Sequence, residues 1–113
     1  MEFERAQGFT PRDVSKENRG YDIESRDPRS NRLRFIEVKG RVRGADTVTV
    51  TKNEMLTALN QPDAFILALV LVEGTTPDTP VYLHRPFKQE LEFATASVNF
   101  KLAELLAKAD SLR

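Results

Sequence analysis

A predicted β-hairpin over residues 21–42 is the feature that most constrains the fold of this chain. Apolar and polar residues alternate on both sides of Asp27-Pro28-Arg29-Ser30-Asn31, a segment whose residue types favour a turn. Folding about the Arg29–Ser30 bond pairs residues whose numbers add up to 59. In that register Asp22 lies opposite Glu37, with the two Cβ atoms about 5 Å apart.

Two carboxylates that face each other across a hairpin need a compensating partner, because like charges directly opposite on a sheet are destabilising. A divalent cation between Asp22 and Glu37 would supply it. Lys39 follows Glu37 by two residues and therefore shares its face of the strand. Two carboxylates and a lysine in one place predict a metal-dependent site that cleaves phosphodiester bonds. The alternative is a cross-strand salt bridge from Asp22 to Lys39, with Glu37 solvated.

The net charge of the chain argues neither for nor against nucleic acid, since 17 basic residues balance 17 acidic ones. The distribution is uneven, however, and residues 26–43 carry seven basic residues against two acidic ones. Such a local excess can attract a polyanion, although a solvated hairpin edge has the same composition. Arg41 and Arg43, just beyond Lys39, are candidates for phosphate contacts, and Tyr21 is a candidate for stacking on a base or for lining a groove.

Several classes of protein are excluded by composition. The chain has no cysteine, so thiol catalysis, disulfides and thiolate metal sites are absent. Its longest apolar run, Ala64–Val72, is too short to span a bilayer. The first residues lack the basic and apolar regions of a secretory signal. We therefore expect a cytoplasmic protein with no membrane contact.

The remaining pattern predicts a single mixed α/β domain over residues 1–113. Thr51 and Glu54 have the spacing of a helix capping box, and Glu54 most simply caps that helix, with a role near the site as the alternative. The predicted elements are helices at 3–7, 52–59 and 99–112, strands at 9–14 and 47–50, a buried strand at 65–72 and an edge strand at 81–83. A helix that starts at residue 1 without a cap suggests that the chain is cut from a larger protein or that its start lies inside an element.

Two motifs give the chain a family resemblance. These are Asn18-Arg19-Gly20-Tyr21-Asp22-Ile23 and Phe35-Ile36-Glu37-Val38-Lys39-Gly40. With Pro11-Arg12-Asp13-Val14-Ser15, Thr51-x-x-Glu54 and the run at 65–72, they resemble the NO VEIN C-terminal-type domain. That domain is a member of the PD-(D/E)XK restriction-endonuclease-like superfamily and is often found at the C-terminus of SNF2-type helicases and other DNA-processing proteins. The resemblance therefore implies that this chain is a C-terminal fragment of a larger DNA-processing protein.

The resemblance implies a restriction-endonuclease-like fold, a mixed central sheet flanked by helices. It further implies that Asp22 and Glu37 bind Mg²⁺, with Mn²⁺ as a substitute, and that the carbonyl of Val38 is an additional ligand. Lys39 would act on the attacking water. Superfamily members commonly add a glutamate from the first helix, for which Glu4 is the only candidate, with Glu2 behind it.

Three functions are compatible with these patterns. The first is a Mg²⁺-dependent nuclease domain that hydrolyses DNA and is joined to a helicase domain in the full-length chain. The second is a catalytically silent nuclease-like module that docks a helicase or another partner on nucleic acid. The third is a purely structural interaction domain whose hairpin charges form salt bridges.

Overall fold

The computed structural model describes residues 1–87 and 97–111. Its helices are α1 (Glu2–Ala6), α2 (Lys52–Asn60) and α3 (Leu102–Ser111), with a short 3₁₀ turn at Ser15–Glu17. Its strands are β1 (Thr10–Asp13), β2 (Ile23–Arg26), β3 (Leu33–Val42), β4 (Thr47–Thr51), β5 (Phe65–Glu73), β6 (Thr76–Pro77), β7 (Val81–His84) and β8 (Ser97–Lys101). Within this part of the chain, no helix is long and apolar enough to cross a membrane.

Six strands form one mixed sheet in the order β1-β2-β3-β5-β6, and β7 also pairs with β5. The β3–β5 pair is parallel, whereas the other pairs of this sheet are antiparallel. Parallel neighbours need a crossover connection, and here β4 and α2 supply it. The crossover carries the start of α2 back alongside β3. The expectation of a mixed α/β fold is confirmed.

The hairpin has the predicted register. Ile23 faces Ile36 and Arg26 faces Leu33, so paired residue numbers add up to 59 throughout. The turn is held by Asp27, whose backbone N–H donates to the carbonyl of Arg32 at 2.9 Å. Because the side chains of a strand alternate between the faces of the sheet, this register decides which residues of β2 and β3 meet on each face.

The strand β5 is buried on both faces at its start, as its continuous apolar sequence predicts. Phe65, Leu67 and Leu69 pack into the main core, whereas Ile66 and Ala68 pack into a smaller cluster on the opposite face. The main core is completed by apolar side chains from β4, α2 and α3. The crossover helix is therefore fixed against the same face that carries the odd-numbered residues of β3.

The last helix begins later than its sequence predicts. The predicted helix at 99–112 is wrong at its start, since residues 97–101 form β8 and pair with β4, Val98 facing Val50 and Phe100 facing Val48. The reason is that Val98 and Phe100 alternate with polar residues and reach the main core from a strand. From Leu102 onward the predicted helix is confirmed, and its apolar residues Leu102, Leu105 and Leu106 pack in the main core or against it. Ala109 and Leu112, predicted on the same stripe, lie outside the side chains that the structure describes.

Candidate active site

Asp22 is held opposite Glu37 by three hydrogen bonds, two of which join it to β3 one residue before the start of β2. Its N–H donates to the carbonyl of Ile36 at 2.9 Å, and its own carbonyl accepts from Val14 at 2.8 Å. Its side-chain Oδ2 accepts from the N–H of Val38 at 2.9 Å. The strands therefore place Asp22 and Glu37, the carboxylate pair, on the same spot of one sheet face.

The Glu37 carboxyl group is buried, with only 4% of the residue exposed. Burial raises its pKa to about 9, and a hydrogen bond to Asp22 and the negative charges of Glu54 and Asp22 act in the same direction, outweighing the opposing charge of Lys39. At neutral pH, without a cation, the Glu37 carboxyl therefore keeps its proton and donates a hydrogen bond to Asp22. The repulsion expected between the two carboxylates is relieved here by a hydrogen bond.

Lys39 lies on the same face as Glu37, as predicted, but its nearest carboxylate is on another element. Its Nζ is 2.8 Å from Oε1 of Glu54 and 4.0 Å from Oε1 of Glu37. The alternative of an Asp22–Lys39 bridge with a solvated Glu37 is wrong, because Glu37 is buried and Lys39 pairs with Glu54. The ammonium of Lys39 thus lies between the carboxyl groups of Glu37 and Glu54.

Glu54 caps its helix, as predicted, and its side chain also lies beside the carboxylate pair. The capping box is confirmed, with the N–H of Thr51 donating to Glu54 Oε1 at 2.9 Å and the N–H of Glu54 donating to Thr51 Oγ1 at 3.3 Å. Burial acts to raise the pKa of Glu54, but the hydrogen bonds from Lys39 and Thr51 outweigh it and hold the pKa below its ordinary value. Glu54 therefore faces the carboxylate pair as a charged side chain.

A close contact at Gly20 holds the loop before β2 against helix α2. Gly20 has a φ of +85°, and a Cβ there would lie 2.2 Å from Thr57 Oγ1 and 3.0 Å from the carbonyl of Asn53. Only glycine fits both this backbone conformation and this approach. The loop that carries Asp22 thus rests directly on α2, which carries Glu54.

The carboxylate pair forms the floor of a polar cleft of about 170 Å³. One wall comes from the turn before β2 and includes Ser15, Asn18 and Arg19, and the other comes from the start of α2 and includes Thr51 and Asn53. The lining groups are hydrogen-bonding rather than apolar. Such a cleft suits a small polar or anionic group better than an apolar ligand.

The donor set matches a hard cation. The N–H of Val38 points to Asp22, and in an extended strand the carbonyl of the same residue points to the same side. Two carboxylates and a carbonyl are the oxygen ligands that Mg²⁺ prefers. Within residues 1–87 and 97–111, no three His, Cys, Asp or Glu side chains are grouped closely enough to form a complete metal site by themselves. A cation held here would complete its coordination with water or substrate oxygens.

The residues predicted to contact nucleic acid are engaged within the chain. Tyr21 stacks on Phe35 with ring centroids 4.6 Å apart and lines the cleft. The Nε of Arg41 donates to the carbonyl of Thr47 at 2.9 Å. Arg43 contacts Asp78 directly and lies 3.5 Å from Glu73. Tyr21 therefore borders the site, whereas the two arginines extend along β3 away from the cleft, each with a partner of its own.

The glutamate of the first helix does not join the carboxylate pair. Glu4 is buried on the opposite face of the sheet, where it lies 3.2 Å from Arg34 and accepts from the Tyr82 hydroxyl at 2.7 Å. Arg34 belongs to the even-numbered face of β3, and Glu37 to the odd-numbered face. Glu2 is exposed and pairs with Arg5 at 3.1 Å. Glu4 therefore fixes α1 against the sheet, Glu2 forms an ion pair only within α1, and neither residue lies at the cleft.

The profile of the family described as Protein NO VEIN, C-terminal matches residues 1–83. This range contains both walls and the floor of the cleft, and it includes Glu54. A search of curated proteins finds no match. Since the match covers well over half of the 113 residues, the chain belongs to the Protein NO VEIN, C-terminal family.

Proposed function

We propose that this chain is a PD-(D/E)XK nuclease-type domain that hydrolyses phosphodiester bonds in DNA with the help of Mg²⁺. The observation that carries the proposal is the meeting of Asp22, Glu37 and Lys39 on one sheet face, with the two carboxyl groups lining a polar cleft and the Lys39 ammonium 4.0 Å from Glu37. Mn²⁺ would substitute for Mg²⁺ because both prefer oxygen ligands. The finer fold assignment, a restriction-endonuclease-like sheet, is part of the same proposal.

The cation would be held by Asp22, by Glu37 and by the carbonyl of Val38. When bound, it polarises the phosphate and lowers the pKa of a coordinated water. Binding would displace the proton of the Glu37 carboxyl to solvent, and Glu37 would then be a charged ligand. Burial of Glu37 holds its oxygen in place, since the side chain is packed beside Leu67 of β5.

Lys39 would orient the attacking water. Its Nζ has one hydrogen bond to Glu54, which leaves two N–H groups for other partners. The 4.0 Å separation between Nζ and Glu37 Oε1 is one that a single water can bridge. The ammonium also offsets the negative charge that develops on the phosphoryl oxygens in the transition state.

We further propose that DNA is bound through its phosphates, and that the domain acts beside an SNF2-type helicase domain in the cytoplasm. The motifs around Asp22 and Glu37 support this context through their resemblance to helicase-associated domains. The basic excess over residues 26–43 supports a polyanionic partner. Phosphate contacts position a strand without reading its sequence, so this proposal requires no base specificity.

A second candidate function is supported by the contacts that the site residues already make with one another. Glu37 is satisfied by Asp22, and Lys39 by Glu54. A catalytically silent module that docks a helicase or another partner on nucleic acid would have such internally paired groups. In that case the cleft would hold the domain together and DNA would bind elsewhere on the surface.

Plasmid cleavage separates the two functions. Supercoiled plasmid and linear single-stranded DNA are incubated with the protein in Mg²⁺, in Mn²⁺ and in EDTA. The proposal predicts nicked or shortened products with either ion and none in EDTA or with the Asp22→Asn variant. Metal-independent binding of DNA without any cleavage would support the silent module and contradict the nuclease.

A further inference from the structure

One carboxylate oxygen of Glu54 has two partners. Oε1 lies 2.8 Å from Lys39 Nζ and also accepts the backbone N–H of Thr51 at 2.9 Å. The side chains are largely withdrawn from water, with 14% of Glu54 and 20% of Lys39 exposed. Charge-assisted hydrogen bonds are stronger in such surroundings. The position of the Lys39 ammonium is therefore tied to the first turn of α2.

The helix that holds Glu54 is itself fixed relative to the carboxylate pair. Gly20 rests on α2 with no room for a Cβ beside Thr57. The Thr57 hydroxyl lies 2.9 Å from the carbonyl of Asn53 and 3.4 Å from that of Arg19. On the inner side of α2, Met55 and Ala58 are buried in the main core. Glu54 thus cannot shift without moving a packed helix.

We propose that Glu54 is the positioning residue for Lys39 in the hydrolysis proposed above, and this inference rests on that function. Glu54 holds Nζ away from Glu37 and leaves the 4.0 Å separation in which a water fits. Without Glu54, the flexible lysine would fold onto the carboxylate pair or turn to solvent. Glu54 acts through Lys39 and contacts neither the cation nor the DNA.

The kinetic test compares three variants under saturating plasmid and Mg²⁺. Glu54→Ala removes both the cap and the lysine partner, and we expect kcat to fall roughly tenfold or more while KM stays within roughly twofold. Glu54→Gln retains an oxygen that accepts both hydrogen bonds and should recover part of this loss. Ala58→Gly weakens the same helix through its lower propensity and the loss of a buried methyl group, and it should leave kcat near that of the unmodified chain.

A chemical test measures the lysine directly and does not require activity. The protein is treated with N-hydroxysuccinimidyl acetate in the absence of DNA and metal, and acetylation of each lysine is quantified by peptide mass spectrometry. Lys39 should react more slowly than the exposed Lys101. In Glu54→Ala its rate should rise roughly tenfold relative to Lys101 as its strong partner is lost, with a smaller rise in Glu54→Gln and none in Ala58→Gly.

The two tests separate failure of this inference from failure of the proposed function. If the unmodified protein cleaves no DNA, the nuclease proposal fails, and the acetylation rates alone decide whether Glu54 holds Lys39. The positioning role is overturned if Lys39 reacts at the same rate in Glu54→Ala and in the unmodified chain. It is also overturned if Ala58→Gly lowers kcat as much as Glu54→Ala, because helix stability would then explain both losses.

Discussion

Asp22, one residue before β2, lies opposite Glu37 of β3, and the buried carboxyl of Glu37 forms a hydrogen bond to Asp22. Because the pKa of Glu37 is raised to about 9, this carboxyl keeps its proton at neutral pH in the absence of a cation, which removes the repulsion between the two groups. A cation that replaces this proton would meet two oxygen ligands that the strands already hold in position. This relationship links the fold of the hairpin to the proposed chemistry.

Removal of either carboxylate should weaken the response to divalent ions. A ligand that binds only the folded state stabilises it by about 2.7 kcal/mol at a hundred times its dissociation constant. We expect the melting temperature of the unmodified protein to rise with Mg²⁺ or Mn²⁺, and to rise much less for Asp22→Asn or Glu37→Gln. Asp46→Asn, an exposed carboxylate in the β3–β4 turn, is the control. Equal responses in all four proteins would contradict metal ligation by the pair.

Glu37 should make the metal-free protein less stable as the pH rises. Its pKa is about 9 in the folded state against an ordinary value near 4.5, so between these values the folded chain binds more protons than the unfolded one. The free energy of unfolding then falls as pH increases. From pH 5 to pH 8 we expect a loss of about 1–3 kcal/mol that is absent from Glu37→Gln.

Urea denaturation in EDTA at several pH values measures this difference. The Glu104→Gln variant, with an exposed carboxylate on α3, is the control for the loss of one charge. Parallel pH profiles for the unmodified chain and Glu37→Gln would show that Glu37 titrates normally and that the pair shares no proton.

Alanine in place of Gly20 should destabilise the domain through both backbone strain and a clash. A positive φ costs an alanine about 1–2 kcal/mol, and the added Cβ would also meet Thr57. Gly44→Ala is a matched control, since Gly44 has a φ of +89° with open space around it. We expect Gly20→Ala to lose about 1–3 kcal/mol more than Gly44→Ala in chemical denaturation. Equal losses would mean that the loop does not press on α2.

The local part of the site could be predicted from sequence, because a turn and an alternating pattern together set a hairpin register. That register placed Asp22 opposite Glu37 and Lys39 on the same face. The capping box could be predicted for the same kind of reason, because Thr51 and Glu54 lie three positions apart on one helical turn. Each of these predictions depends on residues that are neighbours along the chain or across one turn.

The remaining part depends on how distant elements pack. The contact between Lys39 and Glu54 requires α2 to return alongside β3, which no local pattern specifies. In the same way, Arg43 pairs with Asp78 only because β6 pairs with the far end of β5. The predicted helix at 99–112 wrongly includes residues 99–101, because the alternation of β8 is short and adjoins a true helical stripe. Its partner strand β4 lies about 50 residues earlier in the chain.

Alanine in place of Lys39 should abolish cleavage while the protein keeps its response to metal. The contribution of Lys39 is made to the attacking water and in the transition state, so its removal should not change ground-state binding. The measurement is plasmid nicking in Mg²⁺, run beside thermal melts of the same samples, with Lys101→Ala as the charge-matched control. If Lys39→Ala instead lowers stability and leaves activity proportional to folded protein, the lysine serves only as the partner of Glu54.

The central claim is that Asp22 and Glu37 together hold a divalent cation. Crystals of the protein grown with Mn²⁺, measured at the manganese absorption edge, locate the ion directly through its anomalous signal. The account predicts one peak between the two carboxylates, with oxygen distances of about 2.0–2.6 Å as expected of hard cations and with the Val38 carbonyl among the ligands. A fully occupied manganese site elsewhere, with the Asp22–Glu37 hydrogen bond intact, would contradict it.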